Sequence, residues 1–250
     1  MSNNYISLQG RFYLSELTSG VAGAMRYIGN VPEFELEIGA DLIEHKESNT
    51  GKRTTDFTMV QQTNVNFSGQ LEEVNPENLE LILSGVNKSV ASKTVTDGSL
   101  GTVVVGQEIK LDGYNLSAVS FKDSTGTPVT VATDDYVLDA VFGTVIFTDV
   151  TGYTMPLKAT YTTGAVTNTT LASDFEKEYQ LFFKGVNTAN GKKVALTLWR
   201  IKKSPEATFP LIHEELGQYQ IQGQALSDIS KASDATLGLY GHLVTIPTVP

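Results

Sequence analysis

The chain has 250 residues, 40% of them hydrophobic, enough for one large β domain or two smaller ones with real cores. Its 18 Lys and Arg stand against 28 Asp and Glu, a formal charge of -10, which is the wrong sign for a protein that holds nucleic acid by neutralising phosphates. Cysteine is absent, which excludes a disulfide framework, a thiolate metal site and a thiol nucleophile.

The opening MSNNYISLQG has neither a basic region nor an apolar run, and no uncharged apolar stretch is long enough to cross a bilayer. A soluble protein made in the cytoplasm is expected. The first clear element is VPEFELEIG, where Phe34, Leu36 and Ile38 alternate with Glu33, Glu35 and Glu37 and predict a strand with one core face. In DFTMVQQTNVNFSGQL the same period places Phe57, Met59, Val65, Phe67 and Leu71 on one side and Thr58, Gln62, Asn64, Asn66 and Ser68 on the other. The two runs are expected to pair as an antiparallel hairpin. Between them Ala40 to Thr55 is polar and charged, too long for a tight turn, and reads as a projecting arm.

VNPENLELILSGV predicts one short helix with Asn75 as N-cap, Pro76 as first helical residue, Glu77 in the acidic first turn and Gly85 closing it. Leu79, Ile82, Leu83 and Val86 fall on one face, with Val74 placed to staple against Leu79. So short a helix is not stable alone, so its stripe must cover a sheet or a neighbouring subunit. From 92 to 166 the composition turns to Thr, Val, Gly and Asp, and the segments EIKLDGYNLSAVSF, GTPVTVATDDYVLDAVFGTVIFTDV and PLKATYTT predict an inserted small antiparallel sandwich. The discontinuous main domain is then 1–91 with 167–250. KEYQLFFKG and KKVALTLWRIKK predict a hairpin across VNTANG, LGQYQIQGQAL a further strand, and SDATLGLYGHLVTIPTVP a loosely patterned tail.

Residues that carry chemistry do not converge. His45, His213 and His242 are scattered singly, so no metal or other cofactor is expected. Asp134 and Asp135 are adjacent and read as a turn-initiating pair rather than a catalytic dyad. GVNTANGKK has the wrong glycine spacing for a phosphate loop and precedes a strand where a helix is needed, and no G-x-S-x-G elbow occurs. The chain is read as no enzyme, with Trp199 as core or an intersubunit contact. What remains is three polar strand faces: Glu33, Glu35 and Glu37; Asn64, Asn66 and their Thr and Ser neighbours; and Gln218, Gln220, Gln222 and Gln224. None of these rows holds Lys or Arg, so they would pass a polyanion without anchoring it.

RYIGNVPEFELEIGADLIEHKESNTGKRTTDF, the alternating strand after it, PENLELILSG and FFKGVNTANGKKVALTLWRIKKSP, taken in this order, resemble the major tail tube proteins of long-tailed bacteriophages, particularly those with non-contractile tails. The resemblance covers the chain outside 92–166. It implies an all-β fold with one short helix, in which a β-sandwich joins five other copies edge to edge in a barrel-like ring, and rings stack into a tube. It further implies that Glu33, Glu35, Glu37, Asn64, Asn66, Gln218, Gln220 and Gln222 face the lumen. Val74, Leu79, Ile82 and Leu83 would cover the sheet from outside, and Glu44, His45, Lys46, Glu47, Lys52 and Arg53 on the arm would reach the adjacent ring. The insertion resembles the immunoglobulin-like extras on some tail tubes and belongs on the outer surface. Implied partners are further copies of the chain, a tape-measure protein in the lumen, tail terminator and distal tail proteins at the ends, and genomic DNA in transit without specific binding. Implied places are the host cytoplasm for assembly and the virion thereafter, with no membrane. The alternative is a β-sandwich decoration or carbohydrate-binding module of a virion, using exposed aromatics such as Tyr114 and Tyr153.

Overall fold

A computed structural model describes residues 5–206 and 208–247. Its elements, in chain order, are β1 (Leu8–Thr18), β2 (Val21–Ala22), β3 (Arg26–Tyr27), β4 (Phe34–Lys46), β5 (Thr55–Leu71), helix α1 (Pro76–Leu83), β6 (Asn87–Val90), β7 (Thr94–Gly101), β8 (Glu108–Lys110) and β9 (Ser117–Lys122). There follow β10 (Tyr136–Asp139), β11 (Thr144–Phe147), β12 (Leu157–Thr162), β13 (Val166–Thr169), β14 (Glu178–Asn187), β15 (Lys193–Lys203), β16 (Tyr219–Leu226) and β17 (Gly241–Ile246). The protein is all-β with one short α-helix among the described residues. It divides into two compact units, Met1–Val86 with Thr169–Pro250, and Asn87–Asn168.

The first unit is built on one nine-stranded sheet among the described residues, in the order β2-β1-β14-β15-β16-β5-β4, with β3 added to β1 and β17 to β15. Its paired strands are antiparallel, and the two expected hairpins are present: Phe34 pairs with Gly69 and Ile38 with Val65, while Val186 pairs with Lys193. The turn between β14 and β15 is held by Asn187, whose Oδ1 accepts from Ser7 N and Ala189 N and whose amide donates to Tyr5 O. Gly191 takes φ 72 there, so VNTANG is a hairpin turn. The sheet rolls, because Phe34 on β4 lies 4.5 Å, ring centre to ring centre, from Phe12 on β1, far away in the strand order. Phe12, Leu71, Leu181, Leu198 and Ile221 fill the space inside the roll.

The tail expectation is corrected. Gly241 to Ile246 forms β17, pairing with Leu198 to Lys193 along the edge of β15 that β16 leaves uncovered. Its strand state is set by that long-range edge rather than by its own pattern; residues 248–250 of the expected tail, and 1–4 of the opening segment, lie outside the described residues.

The helix begins as expected: Asn75 caps it by accepting from Asn78 N, and Pro76 opens it. Three details differ. The buried helix residues are Asn78, Leu81 and Ile82; Leu79 is half-buried and Val74 is 41% exposed, so the predicted Val74–Leu79 staple is not the anchor. Asn78 is fully buried and rotates the helix inward, its amide donating to Ile28 O (2.9 Å) and Glu73 O (2.8 Å) while its Oδ1 accepts from Arg26 (2.6 Å). The left-handed C-cap is Ser84, at φ 48, rather than Gly85. Gly85 is required for another reason: a Cβ there would fall 1.8 Å from Thr170 O.

In the second unit two three-stranded sheets, β10-β11-β8 and β7-β12-β9, share a core in which Phe121, Phe147, Leu157 and Ala159 are fully buried. β6 and β13 pair as a separate ribbon. The chain turns in a 3-10 helix at Thr133–Asp135, and Asp135 accepts from Tyr153 Oη at 2.6 Å, a structural use for one of the adjacent carboxylates.

A polar face and a projecting apolar ribbon as the candidate interface

Cross-strand partners share a face, and the register gathers the polar residues of β4, β5 and β16 on one side of the sheet. Glu37 pairs with Asn66 and Asn66 with Gln224; Glu35 pairs with Ser68 and Ser68 with Gln222; Gln70 pairs with Gln220. Gln70 donates to Glu33 at 3.0 Å, Gln218 to Glu72 at 3.0 Å, and Gln62 to Asn64 at 2.9 Å. All eight residues expected to line a passage therefore lie on one face. Glu35, Glu37, Asn66, Gln220 and Gln222 border an open concavity of about 800 Å³ there.

The face continues onto β15, which the sequence rows did not include. Gln224 pairs with Lys202 and Lys202 with Glu178, so cations join the glutamates and amides. Each is held: Lys202 Nζ lies 2.9 Å from Glu176, and Arg200 donates twice to the Glu178 carboxylate at 3.0 Å. Bidentate pairing of this kind leaves little free positive charge for a phosphate to find.

The arm is more ordered than the sequence suggested. β4 runs to Lys46 and β5 starts at Thr55, leaving only 47–54 as the turn. Asp41 pairs with Gln62 and Leu42 with Val60, so Gln61 is an extra residue, a β-bulge that reverses the alternation beyond it. The expectation that Phe57 and Met59 share the side of Val65 and Phe67 is corrected by this bulge. Met59 pairs with Ile43 and Phe57 with His45, on the face of Glu35 and Glu37, while Val60 and Leu42 take the other face. Leu42, Ile43, Phe57, Met59 and Val60 are all exposed. One sequence signal was available: Leu42 and Ile43 are adjacent in a strand, so they cannot both enter one core.

Of the predicted arm residues, Glu44 pairs with Thr58 and His45 Nδ1 lies 2.6 Å from Asp56 Oδ1. Lys46 pairs with Thr55, and Lys52 and Arg53 are exposed in the turn. Glu47 faces into the turn, bonded to the Thr50 hydroxyl and to the backbone N–H groups of Asn49 and Thr50 at 2.7 and 2.9 Å. These bonds, the Thr50 hydroxyl foremost, hold its carboxyl below the usual range.

On the core face, α1 covers part of the sheet and Lys203 reaches beneath it, donating to Ile82 O (2.6 Å) and Ser84 Oγ (2.8 Å). Burial pushes the Lys203 amine down to about 8, and burial pushes neighbouring Tyr179 up to about 12. Elsewhere on that face lies an open groove of about 1340 Å³, walled by Phe12, Leu36, Phe183, Leu198 and Leu243. No strand pairs with the outer edge of β4 or β17 among the described residues.

The aromatic and histidine candidates have structural partners. Trp199 donates to Gly238 O at 3.0 Å and meets His242 edge to face. His213 lies 3.3 Å from Tyr219 Oη. Tyr153 packs on the second unit's core, correcting its reading as an exposed aromatic, and Lys110 Nζ lies 4.2 Å from the Tyr114 ring centre. No group of His, Asp and Glu able to hold a metal occurs among the described residues.

Residues 5–244 match the model of a family described as Protein of unknown function UCP028589, and the chain belongs to that family. No curated protein matches it.

Proposed function

We propose that this member of the family is a structural subunit that assembles with copies of itself into six-fold rings, which stack as the tail tube of a long-tailed bacteriophage. One observation carries the reading. The main sheet ends on a thirteen-residue strand, β4, whose outer edge has no partner, and that strand continues into a ribbon with exposed apolar side chains on both faces. A long, unpaired, apolar edge is an aggregation hazard unless another chain covers it. A second copy of the same chain supplies both an edge and an apolar groove.

The polar face supports the bore. Its Glu, Asn, Ser and Gln rows, with Lys202 and Arg200 neutralised by Glu176 and Glu178, suit a wall past which a tape-measure protein and then DNA move without adhering. The unit 87–168 belongs on the outside in this reading, where its bulk does not obstruct passage. Terminator and distal tail proteins would close the two ends, assembly would occur in the host cytoplasm, and the product would reside in the virion. The reading assigns the chain no reaction.

Negative-stain microscopy of the purified protein tests it. Rings or hollow filaments are expected; a monomer at every salt and concentration tried contradicts it.

A further inference from the structure

The loop between β15 and β16 holds the most exposed large apolar side chains of the described residues. Leu211, Ile212 and Leu216 are 83%, 93% and 92% exposed, in the stretch PLIHEEL. Burying nothing within the chain, they have no folding role to explain them.

Their place in the fold is specific. β16 begins at Tyr219 opposite Leu71, the last residue of β5, and β15 ends at Lys203, after which Ser204 N bonds Gln222 O. The loop therefore leaves the sheet at the end where β4 begins. The ribbon tip at 47–54 lies at the other end, beyond the full run of β4, roughly 40 Å away at about 3.3 Å per residue. The two exposed apolar sets thus occupy opposite ends of the β4-β5-β16 part of the sheet.

Their charges are complementary. At the tip of the ribbon Lys52 and Arg53 are exposed, with Lys46 just before it, and have no ion-pair partner among the described residues, while Glu47 is turned into its own turn; Asp41, Glu44 and Asp56, the last beside His45, lie further back along the ribbon. At the loop end Glu206, Glu214 and Glu215 are exposed, likewise without an ion pair among the described residues. An apolar ribbon tipped by Lys52 and Arg53 at one end and an apolar loop carrying Glu214 and Glu215 at the other form a head-to-tail pair.

We propose that the loop 208–218 is the docking surface for the ribbon of a second copy, with Leu211, Ile212 and Leu216 against Ile43, Phe57 and Met59, which share one face of the ribbon, and Glu214 and Glu215 facing Lys52 and Arg53. Such a contact is heterologous. Each copy uses a different patch to bind the next, and it extends a stack without limit rather than closing a dimer. The inference rests on the tube reading and assigns the contact that stacks one ring on another.

The absence of cysteine makes the test direct. Met59→Cys and Ile212→Cys variants, both at exposed positions, are mixed before assembly and also assembled alone, then treated with a thiol-specific bismaleimide. A cross-linked dimer in the mixture, and none in either variant alone, is expected. Arg53→Glu and Glu214→Lys provide the second arm: each alone should shorten tubes at low salt while rings persist, and the two combined in one chain should restore length. Wild-type tubes with no mixed cross-link and no effect of either charge reversal overturn the docking surface and leave the tube reading standing. Absence of rings and tubes from the wild-type protein overturns both.

Discussion

Phe12 on β1 and Phe34 on β4 pack with ring centroids 4.5 Å apart, although five strand-to-strand steps separate β1 from β4 along the hydrogen-bonded path. No strand ladder joins β1 to β4 among the described residues: the roll is closed by side-chain packing and by the segment 26–33, which bonds β1 through Ile28 N and β5 through Asn30 O and Glu33 O. That combination gives one copy a core of its own while leaving the edge of β4 to be paired by something else.

The Phe12 ring also lies 4.6 Å from that of Phe183, its cross-strand partner on β14, so it packs both along its own wall and across the roll. Phe12→Ala is expected to lower unfolding stability by about 3–5 kcal/mol, the usual loss for a truncated buried aromatic. Urea denaturation of the dissociated protein measures it. Phe57→Ser, on the exposed ribbon, should change the same quantity by less than about 0.5 kcal/mol.

Asn78 holds the helix through four hydrogen bonds: its N–H donates to Asn75, its side-chain amide donates to Ile28 O and Glu73 O, and its Oδ1 accepts from Arg26. Asn78→Leu preserves size and strands Ile28 O, Glu73 O and the Arg26 guanidinium in a buried place. A loss of about 2–4 kcal/mol is expected by urea denaturation; a neutral result would mean that water or a rotated helix satisfies those groups.

Strand alternation made β4, β5, β14, β15 and β16 legible, and the cap chemistry of Asn75 and Pro76 located the helix. Three features were not legible, each for a physical reason. The bulge at Gln61 adds a residue without altering composition, so a strict two-residue period put Phe57 and Met59 on the wrong face. Asn78 is polar and its burial depends on carbonyls from distant Ile28 and nearby Glu73, which no hydropathy pattern encodes. β17 is a strand only because β15 offers an edge. Of the candidate site, the polar rows could be read strand by strand, but their alignment into one face required the register.

Lys203 makes stability depend on pH. Its amine, pushed down to about 8 by burial, keeps its proton in the unfolded chain up to about 10.5. Below pH 8 both states are protonated and the folded state carries the full cost of a buried charge. Between about 8 and 10 the unfolded state binds more protons, so stability contributed by this site rises with pH. Wild type minus Lys203→Met, compared by urea denaturation at pH 7 and pH 9.5, should therefore shift in favour of wild type at the higher pH. Above pH 10 Tyr179 acts oppositely, because the folded state retains a proton that the unfolded phenol releases.

The unit 87–168 leaves and re-enters the main unit at neighbouring points: Thr170 N donates to Val86 O at 3.0 Å, and Val86 N to Thr170 Oγ1 at 2.8 Å. Replacing 87–168 with a short Gly-rich turn should leave a folded protein that still forms rings and tubes of reduced outer diameter, measured by microscopy. A folded variant unable to assemble would place part of the interface in that unit.

The most direct measurement is a cryo-EM reconstruction of the assembled protein at side-chain resolution. The account predicts a hollow tube in which the edge of β4 is paired by a neighbouring copy and the rows of Glu35, Glu37, Asn66, Gln220 and Gln222 face the bore. An assembly without a bore, or one with those rows turned to the outer surface, contradicts it.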